Sequence, residues 1–121
     1  MKFSNQSIYS ITQDLSFLDN LDIRMPVRIG FYLKKNVQTF KNAAQEIEEA
    51  RISLCEAFGE YNPETNYYRV PTEKVEELNK ELNDLLTLEQ ELPIHIFKIE
   101  DFDGIELSLQ QISALMPMIE E

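Results

Sequence analysis

Cysteine occurs once in this chain, at Cys55, and tryptophan is missing altogether. A single cysteine excludes an internal disulfide and any zinc site built from several thiolates. Histidine is as scarce: His95 stands alone, so a histidine-rich metal centre has no ligands to draw on. Three scattered glycines in 121 residues cannot make the glycine-rich loop that cradles phosphates. No apolar run approaches the roughly 18–20 residues needed to cross a bilayer. The opening Met1-Lys2-Phe3-Ser4-Asn5-Gln6-Ser7 turns polar where a signal peptide places its apolar region. The expected site of the protein is therefore the cytoplasm of the producing cell.

Basic residues are the next shortage, and an uneven one. The formal net charge is −11, which opposes general attraction to nucleic acid or to anionic membrane. Residues 1–72 hold 9 acids and 8 bases, whereas residues 73–121 hold 13 acids and only 3 bases. Residues 24–41 in turn hold no acid, a stretch that carries Arg24, Arg28, Lys34, Lys35 and Lys41. The bland account of this asymmetry is a solvated, internally compensated surface. The sharper one is docking of a basic patch on an acidic patch, within an oligomer or with a protein partner.

What the chain does have is helical periodicity. From Val27 to Phe58 the residues Leu33, Val37, Phe40, Ala44, Ile47, Arg51, Leu54 and Phe58 recur at spacings of four and three, which keeps one stripe on one side of a helix. Pro26 suits the first turn and Gly59 suits a left-handed terminator. Unbroken, the run is about 48 Å long at ~1.5 Å per residue, so other segments must pack on it. Ile8, Ile11, Leu15 and Leu18 predict a first helix over residues 5–20, capped by Ser4 or Asn5, with 21–25 as a connector. The short link predicts an antiparallel neighbour covering one end of the long helix.

Beyond Gly59, Tyr61-Asn62-Pro63-Glu64-Thr65-Asn66 is turn chemistry and Tyr67-Tyr68-Arg69-Val70 reads as a strand. Thr72 predicts the cap of a helix bearing Val75, Leu78, Leu82, Leu85 and Leu86. Ile94-His95-Ile96-Phe97-Lys98-Ile99 reads as a second strand, which with the first predicts a parallel βαβ unit. Residues 105–107 predict a third short strand. Ser108 and Gln111 form a capping box ahead of a helix with Leu109, Ile112, Leu115 and Met116 on its stripe, ended or kinked by Pro117. The expected fold is one domain over residues 1–121, α+β but mainly α, with a long central helix packed by two to three further helices and a small two- to three-stranded sheet.

The pattern of an N-terminal helix, Met25-Pro26-Val27-Arg28 and Tyr32-Leu33-Lys34-Lys35-Asn36 resembles a family of short phage and prophage proteins of Gram-positive bacteria, a domain of unknown function. Further matches are Glu48-x-x-Arg51-x-x-Leu54, a Tyr-containing turn, the Glu91-Leu92-Pro93-Ile94 strand entry and the closing Leu115-x-x-Met118-Ile119-Glu120. Met25 stands where the family has leucine. The resemblance covers most of the chain and implies a phage-derived origin, with genes near those for tail and lysis proteins and a possible virion association. It carries over no catalytic residue.

Residues with chemical potential each have a structural account. His95 lacks marked partners and fits an edge or partly buried strand position. Cys55 beside Glu49 and Glu56 has no support for a thiolate and fits a buried small thiol. Asp101-Phe102-Asp103-Gly104-Ile105-Glu106 departs from a calcium loop, with glycine at the fourth position and Ile105 at the fifth. Glu73, Glu76, Glu77, Glu81 and Asp84 fit one solvated helical face. Arg51, sitting in an apolar stripe, must reach water or a carboxylate, and Glu48 lies three residues away. Tyr61, Tyr67, Tyr68 and Arg69 are of the types enriched at interface centres.

The expectation is thus a non-enzymatic phage or prophage accessory or morphogenesis protein that acts through protein contacts, with self-assembly as one form. The candidate interface is Arg24, Arg28, Lys34, Lys35, Lys41, Arg51, Tyr61, Tyr67, Tyr68 and Arg69. No catalytic residue, metal ligand or cofactor is expected, and neither nucleic acid nor membrane is an expected direct partner. The alternative is an acidic nucleic-acid mimic that inhibits a host defence or DNA-binding protein. A third class, a small metal-dependent enzyme, requires carboxylates converging near His95.

Overall fold

The computed structural model describes residues 1–20 and 24–120. Its axis is helix α2, Val27–Phe58, whose 32 residues run without a break. Pro26 sits immediately before its first turn, in extended geometry, where a missing N–H has no cost. Helix α1, Asn5–Asp14, continues as a 3-10 turn over Leu15–Asn20. Ser4 caps it, its hydroxyl accepting from the Ser7 amide at 3.1 Å. Residues 21–23 of the expected connector lie outside the described residues.

α1 and α2 run in opposite directions. Tyr9 reaches Glu48, the Thr12 hydroxyl reaches the Phe40 carbonyl, and Asp19 reaches Lys41. α1 therefore covers the middle of α2 and not its end. Ile8, Ile11 and Leu15 meet Leu33, Val37, Phe40, Ala43 and Ile47 in the core. Strand β1, Lys2–Ser4, leads into α1, and its Phe3 lies edge-on to Phe40 with centroids 5.2 Å apart. The aromatic pair supplies dispersion and quadrupole contact beyond simple area burial.

The α2 stripe is buried only as far as Ile47. Ala43, one position before the expected Ala44, turns inward, while Arg51 is exposed and Leu54 and Phe58 are half-buried. Past Ile47 the helix outruns α1 and leans on helix α3, Thr72–Thr87, of which Leu78 is buried. Between them lies a hairpin of β2, Glu60–Asn62, and β3, Tyr67–Arg69, paired antiparallel with Tyr61 opposite Tyr68. Gly59 is extended, not left-handed, because the chain passes straight into β2. The positive φ falls instead on Asn66, at 60°, where the turn needs it. The Asn62 side chain accepts from the Glu64 amide, and the Asn66 amide donates to the Asn62 carbonyl.

This hairpin replaces the expected βαβ unit. β3 has a partner across a four-residue turn, and closing so short a loop costs far less than a long crossover. Thr72 is not the cap of α3 either; Pro71 holds that position without a side-chain bond. Strand β4, Glu89–Glu91, then pairs antiparallel with β1.

Of the expected strand at residues 94–99, only Phe97–Lys98, β5, forms. The reason is Asn36 of α2, whose side chain takes both the amide and the carbonyl of His95 and leaves neither for a ladder. β5 pairs in parallel with β6, Ile119–Glu120, placing Phe97 opposite Ile119. Among the described residues there are three two-stranded sheets rather than one, and no strand at residues 105–107.

Helix α4, Leu109–Leu115, carries the expected Ser108–Gln111 capping box. Of the expected stripe Leu115 faces the core, joined by Ala114, while Leu109, Ile112 and Met116 are exposed. The helix ends before Pro117, and a 3-10 turn over Met116–Met118 swings Met118 inward.

Candidate functional site

Two patches emerge from the predicted interface residues, at opposite ends of α2. From Arg28 to Phe58 the helix rises about 45 Å at ~1.5 Å per residue, so the basic stretch and the tyrosine turn cannot form one surface. At the first end Arg28 faces Asp101 at 3.8 Å and Lys41 bonds Asp19 at 2.8 Å. Part of the basic stretch is thus compensated within the chain. Arg24, Lys34 and Lys35 are exposed, and the Lys35 ammonium stands 6.0 Å from the Phe31 ring centroid. At the far end Tyr67 and Arg69 are exposed on β3, Arg69 opposite Glu60. Tyr61 donates to the Asn66 side chain. The backbone of Tyr68 lies in β3; its side chain lies outside the described residues.

Arg51 belongs to neither patch. It grips Glu48 with two donors, Nε at 3.0 Å and Nη2 on the other carboxylate oxygen. The Tyr9 hydroxyl donates to the same carboxylate at 2.8 Å. Hydrogen bonds from Arg51 and Tyr9 lower the Glu48 carboxyl to about 2. Burial, then the bond to Glu48, raises the Tyr9 phenol to about 12. Arg51 is likewise held more firmly protonated by its bond to Glu48. This trio fastens α1 to the point on α2 where burial ends, so Arg51 has the ion-pair role that its place in the stripe suggests.

His95 stacks on Tyr32 with centroids 3.9 Å apart and a 10° interplanar angle, and meets Phe97 edge-on at 4.7 Å. Its ring thus lies between two aromatic neighbours. Asp101 accepts from the Lys98 amide at 2.9 Å while facing Arg28, so it serves the turn that precedes Gly104, where φ is +80°. Among the described residues no group of three or more His, Cys, Asp or Glu side chains converges as a metal site does. Cys55 is half-buried, not fully enclosed. Its helix ran past the core, and nothing in the sequence marked where the covering helix would stop.

Two polar clamps escaped the sequence reading. Asn36 is 1% exposed, donates to the His95 carbonyl and accepts from its amide, both at 2.9 Å. Asn5 is also buried; it donates to the Leu85 carbonyl at 2.7 Å and accepts from Gln90 at 2.8 Å. The available signal for Asn36 was its spacing: it lies three residues from Leu33 and four from Phe40, on the inward side of α2. An apolar cleft of about 210 Å³ also opens between Ile99, Phe102, Leu107 and Ile112. A polar one of about 430 Å³ separates Gln13 and Phe17 from Ser108 and Gln111.

No family model, curated protein or solved structure matches the chain.

Proposed function

We propose that the protein is a non-enzymatic phage or prophage accessory or morphogenesis protein that works through protein–protein contacts. The phage assignment rests on the sequence resemblance. The contact role rests on one observation: Glu60 to Tyr67 and Arg69, in the β2–β3 hairpin, are all exposed and contribute nothing to the core cluster. Tyr67, beside the turn, is 74% exposed, and Tyr61 and Val75 are also exposed. Tyrosine and arginine are enriched among the residues that carry most of the binding energy at interfaces.

The test is affinity capture from cells carrying the phage or prophage, using the wild-type chain and a Tyr67→Ser, Arg69→Glu variant. Retention of a phage-encoded protein by the wild type and its loss with the variant is the expected result. Equal recovery with both chains refutes the assignment of the hairpin. The second reading, an acidic nucleic-acid mimic, is favoured by the outer face of α3, where Glu73, Glu76, Glu77, Glu81 and Asp84 are all exposed. Capture of a host DNA-binding protein, displaced by added duplex DNA, would select it.

A further inference from the structure

The outer face of α2, turned away from the core, has a pattern that the core does not explain. Val27, Phe31, Lys34, Gln38, Asn42, Gln45, Glu49, Ile52 and Glu56 follow one another at steps of three or four and form a nearly straight stripe. All of them are exposed. Three are large apolar residues: Val27 at 89%, Phe31 at 59% and Ile52 at 44%. The first half of the stripe is basic and the second half acidic.

The stripe is also symmetric about a centre between Lys41 and Asn42. Equidistant from that centre stand Phe31 and Ile52, Lys34 and Glu49, and Gln38 and Gln45, with Val27 and Glu56 outermost. A two-fold axis at that centre lays the helix antiparallel on a copy of itself, and each residue then meets its counterpart. Between residues 31 and 52 apolar faces apolar, amide faces amide and ammonium faces carboxylate, while Val27 meets Glu56 at the ends and Asn42 meets Lys41 at the centre.

We propose that the outer face of α2 is a self-complementary surface, and that its occupant is a second copy of this chain packed antiparallel through α2. This rests on the reading of a contact-making protein and names one of its partners. Charge complementarity fixes the direction, because a parallel pair would set Lys34 on Lys34 and Glu49 on Glu49. The stripe is about 44 Å long and buries on the order of 500 Å² per copy, at the low end for specific interfaces. The dimer accordingly forms at micromolar concentrations and loosens with salt.

Sedimentation equilibrium of the full chain, from about 10 to about 500 µM to bracket an association of that size, is the test. Lys34→Glu and Glu49→Lys are exposed substitutions that each create two like-charge contacts per dimer, and each is expected to weaken it about tenfold. An equimolar mixture of the two variants restores both opposite-charge contacts and the affinity. Phe31→Ser removes the apolar pair and is expected to weaken the dimer without rescue by either partner. A wild-type chain that stays monomeric throughout overturns the proposal, as does a dimer indifferent to the two charge changes. Failure here is distinct from failure of the wider reading, which is decided by capture through the Tyr67 hairpin.

Discussion

Asn36→Ala removes the side chain that hydrogen-bonds the irregular segment at residues 94–96 to the central helix, on which His95 also stacks through Tyr32. The wild-type amide forms two bonds of 2.9 Å to the His95 backbone, and no buried side-chain nitrogen or oxygen among the described residues is left without a partner. Each such bond is worth about 0.5–1.5 kcal/mol net, and a buried amide or carbonyl left unmet costs about 1–3 kcal/mol. With His95 only half-buried, the lower part of that range applies, and the expected loss is about 3 kcal/mol. A domain with about 5–15 kcal/mol of stability would feel this as a fall in Tm of about 10 °C. Urea unfolding followed by far-UV circular dichroism measures it, and hydrogen exchange at the His95 amide locates it. Asn36→Asp sharpens the test: the carboxylate still accepts from the His95 amide but faces its carbonyl with no donor. That variant should recover part of its stability as acid protonates the carboxyl. An Asn36→Ala loss below about 1 kcal/mol would refute the clamp, since a single ordinary hydrogen bond already accounts for that much.

Phe40→Ala should cost about 3–5 kcal/mol, because Phe40 is fully buried against Phe3; denaturant unfolding checks it. Acid should loosen the α1–α2 junction. The Glu48 carboxyl titrates at about 2 in the folded chain against 4.5 for the ordinary group, so its contribution is present above about pH 4.5 and is lost as pH falls toward 2. Arg51→Leu should leave the fold intact and remove most of this acid dependence; a pH series of melting curves on both chains decides it.

Local rules placed the long helix, its Pro26 entry and the Ser108–Gln111 box, since each depends on neighbours within one turn. They also picked out Arg51 as a residue that must reach water or a carboxylate, and it pairs with Glu48 at a half-exposed position. The sheet was misjudged for the opposite reason. Whether residues 94–99 form a strand depends on Asn36, 59 positions away, and whether residues 67–69 pair forward or back depends on which partner arrives first at low closure cost. The stripe of α4 was right only at Leu115: seven residues give a periodicity that fits several faces, and the common core shared with Phe97 and Leu92 takes Ala114 beside Leu115.

By itself the sequence determined which segments become helices, where they start, the uneven charge, and the two-sided patterning of α2, because these follow from side chains a few positions apart. The tertiary structure alone decided where burial on α2 ends, since that depends on the length of α1 laid against it. It likewise decided that Asn36 and Asn5 point inward to backbone partners far along the chain, and that the basic stretch and the tyrosine hairpin stand at opposite ends of a 32-residue helix.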